Sequence, residues 1–288
     1  MKKTIFFLSS ALMALSSGAW AFDWPVAETT SDSISSDFGQ LRGGIISTSV
    51  IYKTDAEVHS ADAGSVIAVI DDHSDDYGWF ESALGTAVII SHSDGLSSVY
   101  GNLNADSMEE NLGDKEKVTA TTKIATSGNT AWQEEANGLE FKVFDKKNIA
   151  AVNPKILMPR VAKEPHLEAG TISLCDKNGI FHNIGSEKRL ASGTYLVYKT
   201  RQPVSPYKTI VAVNGATEET IVFDTIKESN GQLCANGNSS YPTSTVYPNK
   251  ERQLLAKIQL AKGQSTITVT LMNIQENTTM LNYKLDIY

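Results

Sequence analysis

The chain has 288 residues, of which 41% are hydrophobic and 20% charged, and its formal net charge is −8 at pH 7. This length is sufficient for two domains of ordinary size. A net acidic protein is a poor partner for nucleic acid or anionic lipid, so we expect neither. We interpret the negative charge as an aid to solubility.

The first 21 residues have the pattern of a secretory signal peptide. Lys2 and Lys3 precede an apolar run too short to span a membrane, and small residues follow, with Ala19 and Ala21 at the cleavage positions. We predict cleavage after Ala21, which removes both lysines and leaves a mature charge near −10. No later apolar stretch approaches the ~18–20 residues of a membrane helix. The sequence therefore predicts an exported protein, periplasmic or extracellular, with no membrane insertion.

Short apolar runs with a period of two residues dominate the rest of the chain. Examples are SVIAVI, LEFKVF, KTIVAV and STITVTL, which are rich in Val, Ile, Thr or aromatic residues and bounded by turn formers. This pattern predicts an all-β fold. The strand pattern lapses in the proline-punctuated segment NPKILMPRVAKEPHLEAG. We therefore place one domain at 22–160 and a second at 166–288.

The first predicted domain contains six segments in an order typical of one enzyme family. They are FDWPV, ISSDFGQLR, DAEVHSADAGSVIAV, LGTAVIISHSDGLSSVYGNL, KVTATTKIATSGNT and LEFKVFD with the later VNP. In this order the segments resemble the LytM/lysostaphin family of zinc endopeptidases, which cut peptidoglycan cross-bridges. The resemblance implies a LytM-like β-sheet domain of the duplicated hybrid motif type, from residue 22 to about residue 157.

The resemblance also implies where zinc should bind, and this chain departs from that pattern. The family holds zinc with a His and an Asp four residues apart and with the second His of a His-any-His strand, which leaves one position for a nucleophilic water. Residues 42–52 contain neither His nor Asp. The His-any-His strand is Gly138-Leu139-Glu140, and Asn102 replaces the His of a tyrosine-any-His-leucine motif.

These replacements predict a groove that lacks the zinc ligands and catalytic residues of the family. Two residues after the strand motif, where the family carries an acid, this chain has Lys142. Arg42 is expected at the rim of the groove. We therefore predict a polar groove lined by Arg42, Asn102, Glu140 and Lys142, without a catalytic residue, metal or cofactor. A zinc site rebuilt from His59, His92 and Glu140 is the alternative.

The second predicted domain has about seven strand signals in roughly 120 residues, which is typical of an immunoglobulin-like β-sandwich. It contains the only two cysteines of the chain, Cys175 and Cys234. In an oxidising compartment, such a pair predicts a disulfide. The Tyr- and Pro-rich segment at 239–251 is either a contact surface for a glycan or protein or an ordinary loop.

An acidic segment, DDHSDD at residues 71–76, offers the oxygen ligands that hard cations prefer. It lacks the glycine and the distal glutamate of a dedicated calcium loop, and it lies between two predicted strands. We interpret it as a hairpin turn, with a weak cation site as the alternative.

Three hypotheses for function follow. The first is an exported, non-catalytic LytM-like protein of the cell envelope that binds peptidoglycan or regulates a murein hydrolase; the resemblance implies this class because degenerate members of the family activate murein amidases. The second is a zinc endopeptidase that acts on peptidoglycan through a rearranged metal site, with zinc as its cofactor. The third is a structural or surface-binding protein that works through the C-terminal sandwich.

Overall fold

The structure, a computed structural model, describes residues 21–53, 55–71, 82–114, 117–131 and 138–288. It is 49% strand and 6% helix, which confirms the predicted all-β class. The predicted signal peptide, apart from Ala21, and residues 72–76 of the acidic segment lie outside the described ranges. No helix in the described part of the chain is long and apolar enough to cross a membrane.

Strands are short in the first half of the chain and longer in the second. The strands of the first half are β1 Ile34–Ser36, β2 Leu41–Arg42, β3 Ile45–Ile46, β4 Val50–Tyr52, β5 Glu57–His59, β6 Ser65–Ile70, β7 Ala87–Ser91, β8 Leu96–Gly101, β9 Lys123–Thr126, β10 Glu140–Asp145 and β11 Ala150–Val152. Those of the second half are β12 Ile172–Cys175, β13 Phe181–Asn183, β14 Arg189–Leu190, β15 Gly193–Thr200, β16 Lys208–Val213, β17 Ala216–Ser229, β18 Gln232–Asn236, β19 Ser240–Pro242, β20 Arg252–Leu260, β21 Gly263–Met272 and β22 Thr278–Ile287. The helical elements are α1 Pro154–Leu157, α2 Thr243–Val246 and 3-10 turns at Ser31–Ser33, Ala105–Ser107 and Leu112–Asp114.

Most strands belong to one large sheet that runs through both predicted domains. Its order is β14-β22-β21-β16-β17-β11-β10-β8-β7-β6, with β1, β4, β18 and β19 attached beside this path. The two halves meet where Ala150–Val152 of β11 pairs antiparallel with Thr225–Lys227 of β17. A second sheet has the order β13-β12-β15-β20, and β2-β3 and β5-β9 form separate pairs.

Two hydrophobic cores stabilise this arrangement. The first core joins the two halves, since it contains Phe141 of β10 and Phe223 of β17. The second core lies between the four-stranded sheet and the end of the large sheet, where Val197 of β15 and Val269 of β21 are both fully buried. This two-sheet packing is compatible with a sandwich. The immunoglobulin-like assignment and the domain boundaries stay predictions.

The alternation that predicted strands is realised clearly in β21. Ile267, Val269 and Leu271 are buried, and the threonines between them face outward. Because successive side chains of a strand point to opposite faces, this pattern buries one face of β21 in the second core.

The predicted disulfide is not formed, and both cysteines are free and buried. Cys175 lies in the four-stranded sheet, with its thiol 3.6 Å from the carbonyl oxygen of Asp176. Cys234 lies in the large sheet, with its thiol 3.4 Å from the carbonyl oxygen of Gln232. Burial raises the pKa of both thiols, which disfavours the reactive thiolate. The prediction was wrong because a cysteine count does not reveal that the two strands join different sheets.

Candidate functional site

The centre of the predicted groove is Glu140, the first residue of β10. Glu140 is paired with Gly101 of β8 on one side and with Ile51 of β4 on the other. Its side chain is only 4% exposed. An ionised carboxylate at such a depth requires compensating charges or hydrogen bonds.

Two cations supply that compensation. Arg42 Nη1 lies 3.2 Å from Glu140 Oε2, and Lys142 Nζ lies 3.0 Å from Oε1. Burial alone would raise the pKa of Glu140, but the charges of Lys142 and Arg42, with hydrogen bonds from Lys142 and Ser49, hold that pKa below its usual value. Glu140 therefore stays ionised at neutral pH. We call Arg42, Glu140 and Lys142 the Glu140 cluster.

Arg42 reaches the cluster from a tight hairpin made by β2 and β3. Arg42 pairs with Ile45, and the two intervening residues, Gly43 and Gly44, have φ of 56° and 85°. Two positive φ angles in succession define the turn that suits a two-residue hairpin, and glycine adopts them without steric cost. The local sequence RGGI thus sets the direction of approach of Arg42.

The second half of the chain holds this hairpin in place. The backbone N–H of Ile46 donates to Thr243 Oγ1 at 3.3 Å, and the hydroxyl of Tyr247 donates to the carbonyl of Gly39 at 2.6 Å. Tyr247 is buried in the first core. The predicted second domain therefore supports one cation of the Glu140 cluster.

Strand register identifies two further positions that the sequence alone left unassigned. Ile51 lies directly opposite Glu140. From this pairing we infer that Ile51 takes the place of the aspartate ligand of the resemblance and that Ser47, four residues earlier, takes that of the histidine. Ser47 is buried and donates to the carbonyl of Ser49 at 3.2 Å. No local motif marks either residue. Their correspondence to the ligand positions rests on the pairing of β4 with β10.

Gly138, the first position of the strand motif, has no room for a side chain. A Cβ atom there would lie 2.1 Å from the carbonyl oxygen of Tyr52, far inside contact distance. The backbone is fixed at this point because the N–H of Tyr52 donates to the carbonyl of Leu139 at 2.9 Å. A histidine at position 138 would require β4 to move.

Asn102 is fully buried, and the structure corrects the prediction that it lines the groove. Its Nδ2 donates to the carbonyls of Gly128 and Gly138, each at 2.7 Å. Its Oδ1 accepts from the backbone N–H of Thr130 at 2.9 Å and of Ala131 at 2.8 Å. These bonds use all the hydrogen-bonding capacity of the amide. Asn102, whose φ of 60° asparagine tolerates better than most residues, therefore ties a loop to the sheet.

Arg42 and Lys142 are the groove residues that reach solvent. Their side chains are 32% and 30% exposed. With Glu140 between them, the cluster has one negative and two positive charges. It therefore presents a net positive charge to a ligand.

The histidines of the alternative zinc site have other partners. His59 Nε2 lies 3.0 Å from Glu57 Oε1. His92 is buried between the carbonyl of Ala63, at 2.9 Å, and Ser98 Oγ, at 2.8 Å. No three His, Cys, Asp or Glu side chains in the described ranges are grouped as metal ligands.

The residues at the implied ligand positions also do not fit zinc. Ser47 is a neutral hydroxyl in a hydrogen bond and Ile51 is a hydrocarbon, so neither matches the imidazole, thiolate and carboxylate ligands that zinc selects. Glu140 is the only carboxylate of the three, and both its oxygens already contact cations.

Comparison with known proteins gives a family match for the first half of the chain. The family model described as Peptidase family M23 matches residues 47–154. A second family model, which has no functional description, matches residues 166–288. No curated protein sequence matches significantly.

The solved structures to which the chain is similar include three at low identity. A chain of the SpoIIIAH–SpoIIQ complex is 22% identical over 46% of this chain and 96% of its own length, with a TM-score of 0.36. The catalytic domain of a variant of the prophage-encoded M23 protein EnpA from Enterococcus faecalis is 24% identical over 42% and 88%, with a TM-score of 0.34. A zinc-containing peptidase from Vibrio cholerae is 22% identical over 43% and 36%, with a TM-score of 0.33. The family match confirms the resemblance that the sequence predicted: residues 47–154 are similar to peptidase family M23, the LytM type.

Proposed function

We propose that this protein is an exported, non-catalytic M23-type protein of the cell envelope, which binds peptidoglycan or regulates a murein hydrolase through its groove. The observation that carries the proposal is the Glu140 cluster. At the one implied ligand position that keeps a carboxylate, Arg42 and Lys142 contact both oxygens.

The charge balance supports a groove that works without a metal. Two fixed side-chain cations supply the positive charge that a divalent ion would otherwise supply to a buried carboxylate. Unlike a metal with an open coordination position, they cannot activate a water molecule for attack. Ser47 and Ile51 contribute no charge at the remaining positions. The cluster is therefore suited to binding rather than hydrolysis.

The exposed edges of Arg42 and Lys142 favour a carboxylate-bearing ligand. Both side chains are about a third exposed, and together they outweigh the charge of Glu140. Peptidoglycan stem peptides carry carboxylates, and so does an acidic segment of an envelope enzyme. Charge-assisted hydrogen bonds to Arg and Lys are the contacts that would hold such groups.

Zinc analysis tests the non-catalytic part of the proposal. The purified protein is dialysed against zinc, washed, and analysed for metal and for hydrolysis of peptidoglycan. We expect zinc well below one ion per chain and no hydrolysis. Stoichiometric zinc with hydrolysis that a chelator abolishes would establish the endopeptidase instead.

A sedimentation assay tests the binding part. We expect the protein to sediment with purified peptidoglycan or to change the rate at which an envelope extract digests it. Lys142→Gln, which leaves Arg42 to pair with Glu140, should weaken the effect. Lys146→Gln is the matched control, because Lys146 lies beyond the end of β10 and contacts Ser91 rather than the cluster. Wild-type protein without either effect, or equal effects for the two variants, would overturn the proposal.

A further inference from the structure

A second cleft, of about 330 Å³, lies on the four-stranded sheet, away from the Glu140 cluster. Polar side chains from all four of its strands or their flanks line it: Thr171, Ser173, Asn183, Thr200, Glu251 and Arg252. The volume lies at the lower end of the roughly 300–1,000 Å³ typical of small-molecule sites. It is large enough for a short segment of a ligand chain.

Strand register brings these side chains to one face. Ser173 of β12 lies opposite Asn183 of β13 and Tyr198 of β15. Arg252 of β20 lies opposite Thr200 of β15. Residues directly opposite each other on paired strands share a face, so these polar side chains lie together on one face of the sheet, beside the rings of Phe181 and Tyr198.

Lys199 borders the cleft, but the residue is only 1% exposed and its Nζ donates to the carbonyl oxygen of Thr200 at 3.3 Å. It lies opposite Ile172, a member of the second core, and strand alternation places its side chain on the core side. The chemistry of the cleft therefore depends on Arg252 and Glu251 for charge, one of each sign.

Arg252 is held by an aromatic ring. Its guanidinium carbon lies 4.0 Å from the centre of the Phe181 ring, which in turn lies 5.5 Å from the ring of Tyr198. Stacking fixes the plane of the guanidinium and leaves its N–H donors directed along that plane. No described residue forms an ion pair or a hydrogen bond with this guanidinium, so its donors are available to a ligand.

The other polar groups of the cleft are also available. Asn183 Oδ1 accepts from the backbone N–H of Gly185 at 2.9 Å, which orients the amide and leaves Nδ2 without an acceptor among the described residues. The hydroxyls of Thr171, Ser173 and Thr200 and the carboxylate of Glu251 likewise make no side-chain hydrogen bond within the described ranges. The surface therefore offers closely spaced donors and acceptors.

We propose that this cleft binds a neutral glycan chain. Sugar hydroxyls both donate and accept hydrogen bonds, which matches a surface of hydroxyls, an amide, a carboxylate and a guanidinium. The single positive and single negative charge balance, so the cleft favours neither an anionic nor a cationic ligand. The proposal goes beyond the groove and does not rest on the function proposed for it, because it uses none of the same residues.

NMR titration of the purified protein tests the proposal. The probes are two neutral tetrasaccharides, chitotetraose and cellotetraose, and one acidic oligosaccharide, tetragalacturonate. The variants are Arg252→Gln and, as a matched control, Arg189→Gln. Arg189 also lies over an aromatic ring, that of Tyr288 at 5.7 Å, but it belongs to β14 outside the cleft.

We expect a neutral tetrasaccharide to shift resonances of residues 171–183, 198–200 and 251–252 in wild-type protein and in Arg189→Gln. Arg252→Gln should weaken binding by about tenfold, since it removes charge-assisted hydrogen bonds. Ser173→Ala is a milder change and should weaken binding by a few-fold. This variant keeps the proposal testable if Arg252→Gln does not fold. None of the residues expected to shift belongs to the Glu140 cluster, so the positions of the shifts separate this site from the groove.

Three results would overturn the proposal. They are no shift with either neutral tetrasaccharide, shifts with the acidic oligosaccharide alone, and equal affinity of wild-type protein, Arg252→Gln and Ser173→Ala.

Discussion

Glu140 and Lys199 are buried charged residues in the two halves of this molecule, and their surroundings differ sharply. Glu140 has a cation on each carboxylate oxygen. Lys199 is 1% exposed and has no ion pair among the described residues; its Nζ donates only to the carbonyl of Thr200, at 3.3 Å. The charges around Glu140 favour its ionised form, whereas burial, followed by the charge of Arg201, lowers the pKa of Lys199 to about 8.

The difference extends to the neutral polar groups. Around the Glu140 cluster, Asn102 uses every donor and acceptor of its amide. In the four-stranded sheet, Gln253, which lies opposite Lys199, has a buried Nε2 without a partner in the described structure. Because unpaired buried polar groups lower stability, the first region is rigid around Asn102, whereas the amide of Gln253 in the second region is not fully used in folding.

The largest expected effect comes from filling the space at Gly138. Gly138→Ala places a Cβ 2.1 Å from the Tyr52 carbonyl oxygen, so we expect the free energy of unfolding to fall by about 4 kcal/mol. Chemical denaturation measures the change. Gly113→Ala is the control, because the nearest atom to its added Cβ is a Val69 methyl at 3.7 Å. Equal stability of the two variants would mean that β4 yields easily and that the first region is not rigid.

Asn102→Ala tests the same rigidity by removing hydrogen bonds. The substitution leaves two carbonyls and two N–H groups without the side chain that now pairs with them, so we expect a loss of about 3 kcal/mol. Asn104→Ala, which removes a single cap bond to the N–H of Asp106 at 3.1 Å, should cost less than about 1 kcal/mol. A loss for Asn102→Ala no greater than that of the control would show that water replaces the amide.

The features that depend on local sequence pattern could be predicted from the sequence. Alternation predicted the strands, and motif spacing placed Glu140 and Lys142 on one face of β10. Features that depend on pairing between distant segments of the chain could not be predicted in this way. The correspondence of Ser47 and Ile51 to the ligand positions follows from the register of β4 against β10, and the enclosure of Asn102 follows from how the loop at Gly128–Ala131 closes over it.

The same limit applies in the second half. A cysteine count predicts a bond between Cys175 and Cys234, but the two residues lie in different sheets and both are free. The stack of Arg252 on Phe181 joins β20 to β13, which are at opposite edges of their sheet in strand order, so no sequence signal links them. Such contacts form between long side chains that meet only when the sheet has folded.

Lys199→Met tests the contrast between Glu140 and Lys199 in the second region, because removal of this buried charge should stabilise the protein. The folded pKa of Lys199 is about 8 against 10.5 for an ordinary lysine, so the unfolded chain binds the proton more tightly. The free energy of unfolding therefore rises with pH between these values, and the full penalty is present below pH 8. We expect Lys199→Met to gain about 2 kcal/mol at neutral pH and to lose this advantage toward the upper value.

Denaturant unfolding across this pH range provides the measurement. Lys257→Met, at an exposed position on the neighbouring strand β20, should have little effect at any pH. A destabilised Lys199→Met, or a pH-independent difference, would show that Lys199 is compensated in solution and that the two buried charges do not differ as described.

Glu140→Gln gives the smallest expected effect, and its pH dependence distinguishes charge from shape. Glutamine keeps the size of the side chain but leaves Arg42 and Lys142 without their anion; because both are partly solvated, we expect a loss of about 1–2 kcal/mol at neutral pH. The folded pKa of Glu140 lies below its usual 4.5, so its contribution is present above that value and disappears as the pH falls through the folded pKa. The stability gap between wild-type protein and Glu140→Gln should therefore close in acid. Glu57→Gln is the matched control, since Glu57 also contacts two side chains, those of Lys123 and His59, but is exposed and should contribute little. A gap that persists unchanged in acid would attribute the loss to packing and remove the electrostatic basis of the comparison.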